Sequence, residues 1–276
     1  MKWRIVRVSS ENPFMNLAIE EAILIAVDRG VVPSTLRFWV HDRTVVIGRF
    51  QCPVEEVDLE KCVKDKVYVV RRHTGGGAVY HDRGNLNYAL SISKGSSRVF
   101  GNSILGNFKV VGECIADALR MLGYNANFRP INDIEIEGRK VSGMAASVHK
   151  SAVFVHGCLL VNTDVSNLTK YLRIPKVKYV TKGVKSAVKR VVTLHELKGS
   201  PVEMREVEDA IAEAFSHKLG VSFKESDLTE YEIKLAEKLY MEKYTTLEWM
   251  AHICPECPRY SEDIEKLKAY LEAIRK

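Results

Sequence analysis

Apolar positions along the chain alternate between the spacing of helices and the spacing of strands. Residues 12–28 and 108–123 carry apolar side chains at helical spacing, with Pro13 placed for a first turn and Gly123 for the position after a helix end. The C-terminal part shows helical patterns over residues 207–220, 229–244 and 261–276. The pattern therefore predicts two helices in the first half of the chain and a helical C-terminal part.

Short β-branched, aromatic or alternating runs predict strands between these helices. Residues 36–40 and 44–48 are separated by a turn-like segment, so they are predicted to form a hairpin. Residues 133–143 alternate on both sides of Glu137 and Gly138, which indicates a tight hairpin turn. Further strands are predicted at residues 67–72, 87–93 and 152–162. Strands and helices mix throughout, which predicts an α/β fold with a mixed or antiparallel sheet packed with helices, not a doubly wound one.

Composition narrows the class of protein. A chain of 276 residues at 46% hydrophobic content can bury a full core, as one large domain or two small ones. Its net charge of +6 comes from basic residues scattered among acids, which favours an ordinary surface over a nucleic-acid-binding one. No run of about 18 apolar residues and no signal-peptide pattern is present, so we expect no membrane span and a cytoplasmic location.

The segment RRHTGGGAVYHD, residues 71–82, is the strongest indication of a ligand site. Three consecutive glycines after a strand can adopt positive φ and bring backbone N–H groups close to a ligand. Two arginines directly before them offer charge to a phosphate or carboxylate. A bare glycine run would usually be a flexible turn, and the sequence fits neither a Walker A loop nor a GxGxxG helix start. The flanking arginines and His-Asp pair favour a ligand-binding loop.

A second group of residues suits acyl-phosphate chemistry. Lys140 follows the predicted hairpin turn, and Asn132 and Asp133 precede it. A lysine in such a place is usually a surface residue. An acyl-adenylating site, however, needs one compact cation for the carboxylate and the α-phosphate, and an acidic residue for Mg²⁺. Lys140 and Asp133 can supply these groups.

Three other segments allow both a structural and a functional interpretation. His156 and Cys158, in a buried strand, fit a satisfied core histidine and a small apolar thiol as well as a pocket wall. Residues 182–186 fit a solvated loop or a loop that closes over a nucleotide. Cys254 and Cys257 form one CxxC pair, half of a four-ligand zinc site, so a local turn with two thiols is the plainer interpretation.

Together these segments resemble the lipoate–protein ligase family, whose catalytic domain is shared with biotin ligases and octanoyltransferases. The matching segments run in order over most of the chain: NPFMNLAIEEAIL, LRFWVHDRTVVIGRFQ, RRHTGGGAVYHDRGNLNYAL, INDIEIEGRKVSG, VHGCLLVNTD, VKYVTKGVKSAVKRVVTL and MEKYTTLEWM. By this resemblance, residues 1–250 form the catalytic domain. Residues 251–276 form an extension made of the CxxC turn and a helix.

The resemblance also implies roles for individual residues. The lipoyl-adenylate and its acyl pocket would be bordered by Arg72, Gly75, Gly76, Gly77, His81 and His156. ATP and Mg²⁺ would be bound by Asn132, Asp133, Lys182, Lys185 and Ser186, with Asp133 as the Mg²⁺ ligand. Lys140 would be the catalytic residue, bridging phosphate and acyl oxygen.

The implied reaction has two steps and several partners. Lipoate would attack the α-phosphate of Mg·ATP to give lipoyl-AMP, and an acceptor lysine would then take the lipoyl group. The acceptors would be E2 lipoyl domains of 2-oxoacid dehydrogenases and the glycine cleavage H protein. The chain resembles the short form of the family, in which a separate subunit supplies the accessory domain.

Alternatives remain at this stage. The segment after Lys140 reads Gly143-Met144-Ala145-Ala146, where the family more often has a small polar residue and a glutamine. The strand that usually carries His-His-Gly-Thr reads Val155-His156-Gly157-Cys158. These differences alter the wall of the pocket, so the choice between lipoate and octanoate is open. An octanoyltransferase that uses acyl carrier protein without ATP would pass the acyl group through a cysteine thiolate. One branch has that cysteine near Asn132, where this chain has none. The other alternative to a ligase is a non-catalytic lipoate-binding module, which would need neither Lys140 nor Asp133.

Overall fold

The computed structural model describes residues 2–97, 99–173, 191–251 and 260–274. Eleven strands lie in the described ranges. They are β1 (Lys2–Arg7), β2 (Thr35–Trp39), β3 (Thr44–Ile47), β4 (Tyr68–Arg71), β5 (Val79–His81), β6 (Asn85–Ser93), β7 (Ala126–Arg129), β8 (Asp133–Ile136), β9 (Arg139–Val148), β10 (Ala152–Leu160) and β11 (Ser222–Glu225).

The strands form one large and one small sheet. The large sheet has the order β11-β1-β2-β6-β10-β9-β8-β7 and the small one the order β4-β3-β5. In the large sheet β1 pairs in parallel with β2 and β11, and the remaining pairs are antiparallel. In the small sheet β3 is parallel to β4 and antiparallel to β5. The predicted mixed sheet packed with helices is therefore confirmed.

The helices cover both faces of the large sheet. They are α1 (Pro13–Asp28), α2 (Pro53–Glu56), α3 (Leu59–Lys64), α4 (Ile104–Met121), α5 (Leu168–Tyr171), α6 (Leu194–Lys198), α7 (Met204–Leu219), α8 (Glu230–Leu239), α9 (Leu247–Ala251) and α10 (Tyr260–Ile274). Short 3₁₀ turns lie at Lys94–Ser96 and Val165–Asn167, and a π-helical turn follows α8 at Tyr240–Tyr244. No helix within these described ranges has the length and apolar content that a membrane crossing requires.

Two hydrophobic cores lie on opposite faces of the large sheet. Along β10, Val153 and Val155 belong to the first core, whereas Ala152 and Phe154 belong to the second. This alternation is the period of a strand that is buried on both faces. The first core contains α4 and α7, and the second contains α1, the small sheet and α10. The C-terminal helix α10 thus packs in the second core.

Local sequence signals account for the predicted helices. The Asn12 side chain accepts a hydrogen bond from the Phe14 N–H (3.0 Å) at the start of α1, as a helix cap does. α4 begins at Ile104, four residues before the predicted start, because Ser103 caps it there. Gly123, just beyond its end, has φ +89° and confirms the expected position. In the predicted hairpin turn, Glu137 and Gly138 have φ +52° and +73°, so that turn is also confirmed.

The predicted hairpin of residues 36–40 and 44–48 is wrong. Both strands exist, but β2 lies in the large sheet and β3 in the small one. β2 is already paired on both edges, with β1 and β6, so it has no edge for β3. The intervening segment therefore crosses from one sheet to the other. The short strands β1, β5, β7 and β11 were not predicted.

Candidate active site

One cavity brings most of the predicted residues together. Residues of both sheets line it, and a concave site of this kind is where ligands usually bind. The predicted residues that line it are Arg72, Gly76, Gly77, His81, Asn132, Lys140 and His156. Gly75 lies on the same loop, and Asp133 pairs with Lys140. Lys182, Lys185 and Ser186 lie outside the described residues.

Arg72 shapes the glycine loop, residues 75–77. Its guanidinium donates to the carbonyl oxygens of Gly75 (2.7 Å) and Gly77 (3.0 Å), and to that of Val46 (3.2 Å). Gly76 between them has φ +97°, a conformation that side-chain-bearing residues rarely adopt. Burial lowers the pKa of Arg72 to about 10, so the guanidinium remains charged at neutral pH. The loop is therefore held by a buried cation.

Gly48 supports this loop and was not predicted as a site residue. A Cβ atom on Gly48 would lie 2.1 Å from the Gly76 carbonyl oxygen, far inside van der Waals contact. The backbone at the end of β3 can therefore approach the glycine loop only because residue 48 has no side chain. The sequence signal was a lone glycine directly after an apolar strand, which is a weak one.

Lys140, which lines the cavity, forms an ion pair with Asp133. Lys140 Nζ lies 2.7 Å from Asp133 Oδ1, and the two side chains are 41% and 31% exposed. A Cβ atom on Gly143 would lie 2.7 Å from Lys140 Nζ and 2.8 Å from its Cε. Gly143 therefore leaves the space that the lysine side chain fills. The pair therefore offers one ammonium group and one carboxylate to a ligand.

Asn132 links the turn before β8 to strand β9 through hydrogen bonds. Its side-chain amide donates to the Met144 carbonyl (2.5 Å), and the Met144 N–H donates to the Asn132 carbonyl (2.9 Å). These two hydrogen bonds hold the start of β8 and therefore the position of Asp133. The side chain also lines the cavity, so it can still meet a ligand.

His156 connects the glycine loop with α1. Its Nδ1 lies 2.6 Å from Glu20 Oε1, and its Nε2 lies 2.6 Å from Thr74 Oγ1. Burial by itself would raise the pKa of Glu20, but the charge and hydrogen bond of His156 together with the charges of His73 and Arg37 hold the pKa below its usual value. Both ring nitrogens are used within the protein, so the ring borders the cavity through its carbon edge and face.

His81 is the predicted residue with unused hydrogen-bonding capacity. It is 5% exposed, and neither ring nitrogen has a hydrogen-bond partner among the described residues. Its ring stacks on His41, with centroids 5.6 Å apart, and both rings line the cavity. Burial lowers the pKa of His41 to about 3 and that of His81 well below its usual value. Two uncharged rings therefore form a weakly polar wall beside Trp39 and Val79.

Cys158 faces the same cavity without the properties of a reactive thiolate. Burial raises its pKa, although Lys140 and Arg72 oppose this. The thiol is therefore protonated at neutral pH, and a protonated thiol is a poor nucleophile. Within the described residues no group of three histidine, cysteine or acidic side chains could hold a metal ion. Cys254 and Cys257 lie outside those residues.

Comparison with known proteins identifies related sequences. The model of the lipoyl protein ligase A/B catalytic domain matches residues 12–216. Lipoate-protein ligase A subunit 1 of Thermoplasma acidophilum is 37% identical over 248 residues, covering 86% of this chain and 92% of that protein. Octanoyltransferase LipM of Kyrpidia tusciae is 33% identical over 270 residues, covering 90% of this chain and 97% of that protein.

Solved structures share the fold. A bipartite lipoate protein ligase of T. acidophilum, studied with its E2 lipoyl domain, matches with a TM-score of 0.83 and 36% identity, covering 93% of this chain and 99% of that one. A lipoate-protein ligase A bound with ATP matches with a TM-score of 0.80 and 34% identity, covering 91% of this chain and 99% of that one. A T. acidophilum protein with bound lipoic acid matches with a TM-score of 0.79 and 33% identity, covering 92% of this chain and 100% of that one.

Proposed function

Because the chain belongs to the lipoyl protein ligase A/B catalytic domain family, we propose that it is an ATP-dependent lipoate–protein ligase. In the first step the lipoate carboxylate attacks the α-phosphate of ATP, and lipoyl-AMP and pyrophosphate form. In the second step an acceptor lysine amine attacks the acyl carbonyl, and AMP leaves. Related structures contain ATP or lipoic acid, which supports both substrates.

The observation that carries this proposal is the position of Lys140 in the cavity of the glycine loop. Lys140, Gly76 and Gly77 line this cavity together with the apolar side chains of Trp39 and Val79. An acyl-adenylate needs both kinds of contact, because it has a charged phosphate next to a hydrocarbon chain. A cation near the reacting carboxylate and phosphate stabilises the negative charge that develops in the transition state.

Asp133 is the residue that would hold Mg²⁺ in this site. Protein sites commonly hold Mg²⁺ by one or two carboxylates together with substrate phosphates. Asp133 supplies one such carboxylate, 2.7 Å from Lys140 Nζ, and the phosphates of ATP would supply further oxygens. The bound ion would neutralise phosphate charge, while Asn132 holds the turn on which Asp133 lies.

The proposed partners follow from the relatives. The bipartite T. acidophilum ligase was studied with an E2 lipoyl domain, so we propose E2 lipoyl domains as acceptors. We add the glycine cleavage H protein from the family resemblance alone. The same relative supports a separate accessory subunit for this chain. We place the reaction in the cytoplasm, where ATP and these acceptors are present.

Pyrophosphate release tests the proposed function directly. The purified protein, with its partner subunit if required, is incubated with ATP and Mg²⁺, with and without lipoate. We expect pyrophosphate release that depends on lipoate, and transfer to a lipoyl domain when one is added. Acyl transfer from octanoyl acyl carrier protein without ATP would instead identify an octanoyltransferase. Lipoate binding without either reaction would identify a binding module.

Cys158→Ser is expected to retain most of the ATP-dependent activity. The side chain lines the cavity, but its raised pKa makes it a poor nucleophile. The measurement is lipoylation of a lipoyl domain from ATP and lipoate, with thermal unfolding as a check on the cost of a buried hydroxyl. A folded variant that has lost all transfer would favour the thioester route of octanoyltransferases.

The isolated chain is expected to use lipoyl-AMP better than ATP and lipoate. The groups that we propose for adenylate binding are on this chain. Because the T. acidophilum relative is bipartite, we propose that a second subunit completes the activation of lipoate. The assay compares lipoylation of an acceptor lysine from ATP plus lipoate with lipoylation from supplied lipoyl-AMP. Efficient ATP-driven lipoylation by the chain alone would contradict the need for a second subunit.

A further inference from the structure

The strand that leads into the glycine loop is covered by C-terminal side chains. β4 is an edge strand of the small sheet, so its outward backbone groups need partners from elsewhere. The Val69 N–H donates to the Tyr270 hydroxyl of α10. The Arg71 carbonyl accepts from the indole N–H of Trp249 at 3.0 Å. Two buried aromatic residues thus take the place of a neighbouring strand.

Arg71 joins this C-terminal region to a turn beside the site. Its guanidinium is fully buried and donates to the Met250 carbonyl at 2.6 Å. The other terminal nitrogen donates to carbonyl oxygens in the turn of residues 48–51, those of Gly48 (3.0 Å), Arg49 (2.8 Å) and Gln51 (2.8 Å). Burial lowers the Arg71 pKa to about 10, so these are charge-assisted bonds at neutral pH.

The turn of residues 48–51 in turn contacts the glycine loop, backbone against backbone. The Arg49 N–H donates to the Thr74 carbonyl at 2.8 Å. The Gly48 backbone lies so close to Gly76 that a Cβ atom would meet its carbonyl oxygen at 2.1 Å. The Arg49–Thr74 hydrogen bond and this close approach couple the turn to the loop, so we expect a shift of the turn to shift the loop.

Trp249 itself is held firmly on α1. Lys243 Nζ lies 4.2 Å from the centre of the Trp249 ring and 2.7 Å from both carboxylate oxygens of Glu21. The Tyr244 ring meets the indole edge to face at 5.8 Å, and its hydroxyl donates to Glu21. Trp249 is therefore fixed against α1 through Lys243 and Tyr244.

We propose that Trp249 is a positioning residue for the ligand site, which acts through Arg71 on the glycine loop. Trp249 and Tyr270 both lie beyond residues 12–216, the part that the family model matches. The proposal rests on the proposed function for the identity of the ligand. The contacts from Trp249 to Gly76 do not depend on that function.

Trp249→Phe removes the indole N–H and keeps an aromatic ring beside Lys243. The Arg71 carbonyl then loses a buried hydrogen bond, so we expect affinity for lipoyl-AMP to fall about fivefold or more. Deuterium exchange of the peptide containing residues 73–77 should become faster, because the loop loses its support. The KM for lipoate should rise more than kcat falls, since the variant misplaces a binding loop and leaves Lys140 unchanged.

Trp3→Phe is the matched control. Trp3 is equally a buried tryptophan, but it belongs to the first core, and its indole N–H has no hydrogen-bond partner among the described residues. We expect this variant to lose some thermal stability while loop exchange and lipoyl-AMP affinity stay at wild-type values. Tyr270→Phe, which removes one hydroxyl, serves as a second test if Trp249→Phe does not fold, and faster loop exchange is expected there too.

Two results would overturn the positioning role. Loop exchange in Trp249→Phe that equals wild type would show that the contacts carry no influence to the loop. Equal changes in Trp249→Phe and Trp3→Phe would show a general loss of stability. A wild-type protein that does not bind lipoyl-AMP would refute the proposed function, and loop exchange would still decide the role of Trp249.

Discussion

Lys140→Ala is expected to reduce lipoate-dependent pyrophosphate release about 100-fold or more, the scale of losing one electrostatic contact to a transition state. Lys140 lines the cavity and forms an ion pair with Asp133. The ion pair is partly exposed, so its loss should change the free energy of unfolding by only about 0–1 kcal/mol. Lys140→Arg should fail as well, because the lysine end already fills the space left by Gly143.

Arg139→Ala provides a control with the same change of net charge. The neighbouring Arg139 pairs with Glu196 at 2.5 Å and does not line the cavity. We expect this variant to keep pyrophosphate release close to wild type, with a similar thermal unfolding temperature. Near wild-type lipoyl-AMP formation by Lys140→Ala would show that Lys140 is a surface lysine and remove the central residue of the proposed mechanism.

Gly76→Val is expected to abolish useful binding of lipoyl-AMP while the protein remains folded. Its φ of +97° strains a β-branched residue, and the new Cβ atom would lie 2.8 Å from Arg72 Nη2. The loop must therefore move away from Arg72, and a displacement of about 1 Å can cost on the order of 100-fold at an active site. The strain should cost about 1–3 kcal/mol of stability, as measured by denaturant unfolding.

Gly77→Ala separates loop geometry from the mere loss of a glycine. Residue 77 has an ordinary φ, and no atom lies within 4 Å of a Cβ placed there. We expect this variant to lose much less affinity for lipoyl-AMP than Gly76→Val does, because the loop itself can accept a methyl group without moving. Normal binding by Gly76→Val would mean that the glycine run is an ordinary turn.

The sequence by itself predicted the elements whose signals are local. Asn12 and Pro13 mark the start of α1, and Gly123 marks the end of α4, because caps and glycine conformations act over a few residues. The positive φ values at Glu137 and Gly138 are equally a property of the turn itself. The glycine loop and the lysine hairpin were predicted from motifs in the same way, and the structure places both at one cavity.

Strand pairing required the tertiary structure. The segments at β2 and β3 look like a hairpin locally, but β2 pairs with β1 and β6 and leaves β3 to a second sheet. The register between β8 and β9 also shifts, so that Ile134 pairs with Ser142 and Glu135 with Lys140. That shift reverses which face the side chains after it occupy, and simple alternation cannot predict it.

The contacts that support the site were also decided by the tertiary structure. Glu20 reaches His156 across 136 positions of sequence, and Trp249 reaches Arg71 across 178. Nothing near Glu20 or Trp249 in the sequence indicates which distant residue each of them contacts. The sequence thus determined which local elements and which reactive residues the chain has. Packing determined how they are held, because a buried polar group must find its partner wherever the fold brings one.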